Sequence, residues 1–127
     1  MPDTARFSEK TVIVTGGAGD IGKAAALRFA REGASVVVVD LNLDAVSAVV
    51  AEIEAAGGRA IAVKADVTKA DDVKAYVAKA EAAFGGVDIL FNNAGVEGTV
   101  QPIEDYPEDT FDAVMGVNVR GVFLGMK

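Results

Sequence analysis

Short apolar runs alternate with longer stretches in which apolar residues recur every three or four positions, and the alternation repeats along almost the whole chain. The runs at about Thr11 to Thr15, Ser35 to Asp40, Ala60 to Ala65 and Val87 to Asn92 predict strands. The stretches between them predict helices. One spans Asp20 to Arg31 and stops at Gly33; another spans Leu43 to Ala55, with Val46, Val49, Val50 and Ile53 on its inner face and Gly57-Gly58 at its end. A third begins after Thr68, whose hydroxyl is expected to cap it, with Asp71 and Asp72 in the first turn. Val73, Tyr76, Val77 and Ala80 form its stripe, and it ends at Gly85-Gly86. A loop from Val96 to Pro107 leads to a last helix that starts near Glu108 and is expected to be still running at Lys127. Strands alternating with helices define an α/β chain with a parallel sheet and crossover helices.

At 127 residues, without repeats, low-complexity tracts or linkers, the chain reads as one domain, 1–127, short for a complete two-halved nucleotide fold. Its last residues, Gly121 to Lys127, are mostly apolar, so truncation before a further half is expected. Nineteen acidic against twelve basic residues give a net charge of −7 and no basic stripe, which argues against nucleic acid. Cysteine and histidine are both absent, removing disulfides, thiolate chemistry, the usual zinc sites and the commonest general base. Met1 to Lys10 reads as neither signal peptide nor anchor, and Val36 to Val39 is too short to span a bilayer, so no membrane contact and a cytoplasmic protein are expected.

The run Thr15-Gly16-Gly17-Ala18-Gly19-Asp20-Ile21-Gly22 lies between the first strand and the first helix. Glycines there let the backbone approach phosphates, and the helix start offers free N–H groups and a favourable dipole. Gly17, Gly19 and Gly22 spell the G-x-G-x-x-G dinucleotide pattern, which implies a Rossmann-like doubly wound parallel sheet with strand order 3-2-1-4. The first and fourth strands then lie side by side, and their carboxyl ends are where a ligand sits. Gly17, Gly22 and Lys23 also approach a P-loop, but Ala24 stands where the magnesium-binding Ser or Thr belongs.

Asp40 ends the second strand at the spacing from the glycine run at which an acid meets the adenosine ribose. A carboxylate there accepts from ribose hydroxyls and repels a 2′-phosphate, and neither Leu41 nor Asn42 supplies the cation such a phosphate needs. The expected cofactor is NAD rather than NADP.

Thr15, Gly16, Ile21 and Gly22, with Asn92-Asn93-Ala94-Gly95 after the fourth strand and Asn118-Val119-Arg120-Gly121 in the last helix, resemble the motifs of the short-chain dehydrogenase/reductase (SDR) family; Asp66-Val67 matches a further pair. The likeness spans about Lys10 to Lys127. It implies an oxidoreductase that passes a hydride between nicotinamide and a small-molecule alcohol or ketone, and a homo-oligomer, dimer or tetramer. Carried over position by position, it places cofactor contacts at Gly16, Gly19, Asp20, Ile21, Gly22, Asp40, Leu41, Asp66, Val67, Asn92, Ala94 and Gly95, with Asp66-Val67 at adenine. Asn118 matches the asparagine that holds a water in the family's proton relay; bending the helix is its alternative role. For Asn93 the alternative to cofactor contact is tying the sheet together.

Two departures stand out. The family's second glycine falls where this chain has Asp20, and Asp20 is expected to cap the first helix with its carboxylate turned from the phosphates. The family's catalytic serine, tyrosine and lysine have no match: Tyr76 is followed four residues on by Ala80 and Tyr106 by Thr110, while Ser8, Ser35 and Ser47 all precede the fourth strand. The expectation is the cofactor-binding part of a longer enzyme; the alternative is a non-catalytic nucleotide-binding module.

Overall fold

The computed structural model describes residues 5–127. Residues 1–4, part of the segment read as neither signal nor anchor, lie outside the described residues. The elements are β1 (Thr11–Thr15), α1 (Asp20–Arg31), β2 (Ser35–Asp40), α2 (Leu43–Ala55), β3 (Arg59–Lys64), α3 (Ala70–Phe84), β4 (Ile89–Phe91), a 3-10 turn (Ile103–Asp105), α4 (Glu108–Met115), a π-helical turn (Gly116–Gly121) and α5 (Val122–Met126). The four strands form one parallel sheet in the order β3-β2-β1-β4, as the right-handed crossovers require.

Helices on both faces explain why the central residues of β1 and β2 are all apolar. Val12, Val14, Val36 and Val38 face α1 and α2, where they meet Ala26, Val46, Val49 and Ile53. Their neighbours Ile13, Val37 and Val39 face the other way, toward Val73, Tyr76 and Ala80 of α3. Successive strand side chains point to opposite faces, so a strand covered twice needs an apolar residue at every position.

Beneath the sheet, the Glu32 carboxylate is only 2% exposed and is held by two arginines. Arg6 reaches it with Nη2 at 2.7 Å and Arg28 with Nε at 2.8 Å, which ties the segment before β1 to the end of α1. The paired carboxylate holds the Arg6 guanidinium above its usual range. Phe7 adds an edge-to-face contact with Phe29, ring centroids 5.0 Å apart.

Several expected boundaries shift, each for a local reason. β3 begins and ends one residue early, at Arg59 and Lys64, because those residues pair with Ser35 and Asp40; Ala65 still donates its N–H to the Asp40 carbonyl. β4 is three residues rather than six, because side chains take over the pairing at both of its ends. Asp88 accepts the Thr11 N–H at 2.8 Å, and the Thr15 hydroxyl accepts the Asn93 N–H at 3.0 Å. Thr68 does not cap α3: Lys69 holds the cap position, and the Thr68 hydroxyl donates to Asp66 instead. Gly19 rather than Asp20 precedes α1, and Asp20 is its exposed first residue, making no capping bond. The last helix starts at Glu108 as expected and its backbone stays helical to Met126, but the hydrogen bonding changes to the π pattern over Gly116–Gly121.

Val37 is fully buried between β1, β3 and α3. Val37→Ala removes two methyl groups and leaves a cavity, for an expected loss of about 2 kcal/mol. Urea unfolding is the check: the midpoint falls while the slope with denaturant stays unchanged.

Candidate functional site

The site is built at the carboxyl ends of β1 and β4, where the sheet order changes direction. β1 runs into Gly16, whose φ of +65° suits glycine and turns the chain sharply. Gly19 then donates its N–H to the Gly16 carbonyl at 3.1 Å, and α1 opens. A Cβ on Gly22 would overlap that carbonyl oxygen and stand 2.9 Å from the Asn93 amide nitrogen. A Cβ on Gly16 would stand 2.9 Å from the Ala94 Cα. Gly16, Gly22 and Ala94 thus bring the turn, the helix and the end of β4 together by being small.

Thr15 and Asn93 hold this approach in place. The Thr15 hydroxyl accepts the N–H of both Asn93, at 3.0 Å, and Ala94, at 3.1 Å. In return the Asn93 amide donates to the Thr15 carbonyl at 3.1 Å. Asn93 therefore ties the sheet together. Asn92 turns the other way and donates to the Val122 carbonyl of α5 at 2.8 Å, so its amide anchors a helix instead of entering the cleft.

Asp40 reaches across from β2 to the glycine turn. Its Oδ2 accepts the Ala18 N–H at 3.1 Å, while Oδ1 accepts the Leu41 N–H at 2.7 Å and the more distant Asn42 N–H at 3.4 Å. One carboxylate thereby fixes the turn that follows β1 and the turn that follows β2. Asp66, just past β3, accepts both the N–H and the hydroxyl of Thr68 on Oδ1, at 2.9 and 2.6 Å. Its own N–H is held by Asp72 at 2.8 Å. The hydrogen bonds from Thr68 stabilise the charged form and hold the Asp66 carboxyl below the usual aspartate range.

Asp40, Leu41, Asp66, Val67, Ala94, Gly95 and Gly16 line one cavity of about 140 Å³, joined by Ala65, Val96 and Val117. A larger cavity of about 390 Å³ lies between the ends of α1 and α2, but it is away from the strand ends and the glycine turn. The smaller one is the candidate site because the elements converge there. Gly19, Asp20, Ile21 and Gly22 sit beside it, in the turn and first turn of α1. Asn118 closes a two-bond ring with Val96, its Oδ1 accepting the Val96 N–H and its Nδ2 donating to the Val96 carbonyl, both at 2.8 Å. Its side chain thus fixes the start of the loop after β4.

Thr15, Val96 and Val117 were not singled out as site residues by the sequence. Thr15 had a readable signal, a hydroxyl at the end of a buried strand beside the glycines; Val96 and Val117 look like ordinary apolar residues. Neither tyrosine stands out as a base. Tyr76 is 1% exposed in the core, where burial pushes its phenol pKa up and its hydroxyl meets no described partner. Tyr106 accepts a long bond from the Thr99 N–H at 3.4 Å. Among the described residues there is no His, Cys, Asp and Glu group that could hold a metal, and no helix is long and apolar enough to cross a membrane.

The profile of the short chain dehydrogenase family matches residues 10–127, and the chain belongs to that family. Levodione reductase of Leifsonia aquatica is 41% identical over 127 residues, covering 98% of this chain and 47% of its own length. Cyclohexanol dehydrogenase of Acinetobacter sp. (strain SE19) is 42% identical over 121 residues, covering 95% of this chain and 48% of its own. The crystal structure of an NAD+-bound xylitol dehydrogenase superposes with a TM-score of 0.91 at 39% identity, over 95% of this chain and 46% of that one. The chain thus spans about half the length of these relatives.

Asp66 gives a direct handle on the site. Because its folded pKa is lowered, the stability it contributes is present above the carboxyl pKa of the unfolded chain and is lost as pH falls through the folded one. Thr68→Val removes the hydroxyl donor and leaves the backbone N–H, so the Asp66 pKa rises part of the way toward the ordinary value. Carboxyl-carbon NMR titration of the two proteins is the measurement.

Proposed function

We propose that the full-length protein carrying this chain is an NAD-dependent oxidoreductase of the alcohol and ketone type, and that residues 1–127 form its cofactor-binding part. The observation that carries the reading is the convergence of the glycine turn, Asp40 and Asp66 on one cavity. The turn is compact in the way a dinucleotide-binding turn requires, since Gly16 and Gly22 leave no room for side chains where it meets β4 and α1. The start of α1 offers backbone N–H groups to a pyrophosphate. Bound NAD would supply a hydride acceptor and NADH a hydride donor.

Each residue then has a role that follows from its position. Gly16, Gly19, Ile21 and Gly22 shape the phosphate-binding turn. Asp40, presented by three backbone N–H groups, accepts from the ribose hydroxyls, with Leu41 beside it. Asp66 keeps Oδ2 clear of hydrogen bonds from described residues, so that oxygen can accept from the 6-amino group of adenine, with Val67 alongside. Ala94 and Gly95 let the cofactor lie against the end of β4. Asp20 is exposed and outside the cavity, and its carboxylate stays in solvent. With the Asn118 carboxamide engaged by Val96, a relay water falls to its main chain. Asn92 serves this site by anchoring α5.

The substrate is a small alcohol or ketone bordered by the Val96 to Pro107 loop, where Glu97 and Gln101 are exposed polar candidates. The names of the relatives, levodione reductase and cyclohexanol dehydrogenase, support that class. Proton transfer falls to residues outside this chain, in keeping with its span of about half the relatives' length. Assembly with further copies is part of the proposal, because Phe111, Met115, Val119, Phe123 and Met126 expose an apolar stripe along α4 to α5. A cytoplasmic setting also belongs to the proposal.

Two like charges about 4 Å apart repel by about 4 kcal/mol at an effective dielectric near 20. Solvent reduces this at the half-buried Asp40, and a third of it still favours NADH over NADPH by about tenfold. Titration of the full-length protein with both cofactors is expected to give that preference, and Asp40→Ala to abolish most of it. An unchanged preference in the variant rules out the ribose assignment.

A further inference from the structure

The SDR-type motif Asn118-Val119-Arg120-Gly121 lies in the π-helical turn, and its third residue has no role in the site described so far. The Arg120 Nε donates to the Thr68 carbonyl at 3.1 Å, although 52 residues separate them. Thr68 in turn donates its N–H and its hydroxyl to Asp66 Oδ1. The π-helical turn also packs on Val67 and Thr68: a Cβ on Gly121 would stand 2.8 Å from Val67 Cγ2, and one on Gly116 would stand 3.5 Å from Thr68 Cγ2. At its other face the turn holds Val96 through Asn118. Two parts of the cavity lining are therefore fastened to one turn of helix, Val96 through Asn118 and the Asp66-Val67 segment through Val67 and Thr68.

We infer that Arg120 is a positioning residue for adenine recognition: by holding the Thr68 carbonyl it fixes the 66–68 turn and with it the direction of the free Asp66 oxygen. This rests on the reading of Asp66 as the acceptor for the adenine amino group. A hydrogen bond to a charged acceptor is sensitive to direction, so a loosened turn costs discrimination between bases more than general affinity. The donor is Nε rather than a terminal nitrogen, and glutamine places an N–H donor at the same number of bonds from its backbone. Arg120→Gln therefore keeps the hydrogen bond and removes the charge, whereas Arg120→Met removes both.

The probes are NADH and its hypoxanthine analogue, in which an oxo group replaces the 6-amino group of adenine, titrated against the full-length enzyme. The native protein is expected to bind NADH on the order of tenfold more tightly than the analogue, the worth of one hydrogen bond to a carboxylate. Arg120→Met is expected to cut that ratio at least threefold, with Arg120→Ala as the replacement if methionine disturbs folding, and Arg120→Gln to retain it. A merely structural arginine would weaken both dinucleotides equally and leave the ratio unchanged, which overturns the inference. An Arg120→Gln ratio that falls with that of Arg120→Met also overturns it, since charge would then be the cause. A native enzyme that does not distinguish the two dinucleotides removes the adenine role of Asp66 itself, a separate failure visible before any variant is made.

Discussion

How closely backbone can approach backbone where β1 ends decides the rest of the structure. Gly16 faces Ala94 across a gap that a single Cβ would close to 2.9 Å, and Gly22 lies against the Gly16 carbonyl with no space for a side chain. With those contacts made, α1 begins directly over the end of β1, β4 lies beside it, and the cavity opens between them. Larger residues at these positions would push the turn outward and separate the elements that form the cleft. The polar groups around this contact act to preserve it: Thr15 and Asn93 lock β1 to β4, and Asp40 holds the turn from the other side.

Much of this was readable in the sequence, because a parallel sheet covered on both faces leaves a strong mark. Valine at all four central positions of β2, Val36 to Val39, admits few other arrangements, and with right-handed crossovers it leads to the observed strand order. The glycines were readable for a similar reason, since a close approach requires a missing side chain. What could not be read was the choice among competing hydrogen bonds. Thr68 was as well suited to cap a helix as to bond Asp66, and only the packed turn decides for Asp66. Asp20 had the chemistry of a cap, but the chain enters α1 one residue earlier. The π pattern inside the last helix was invisible too, because Val117, Asn118 and Val119 fit ordinary helical spacing.

The acids of the site show how one residue type serves two ends. Asp40 ends one strand and Asp66 follows another, and each accepts backbone N–H groups that prefer a charged partner. They hold the local turns whether or not a ligand is present, so their orientation is established in advance. Preorganisation of this kind lowers the cost of binding, since few side chains remain to be ordered.

β4 is only three residues long and pairs with β1 alone among the described residues. A ladder that short leaves its position to the side chains at its ends, Asp88 gripping Thr11 below and Asn93 gripping Thr15 above. β4 therefore behaves as a short rigid strut between two pins, and Ala94, which bounds the cleft, rides on its upper end. The width of the cleft is consequently governed in part from the opposite end of the strand, by an aspartate that takes no part in its lining.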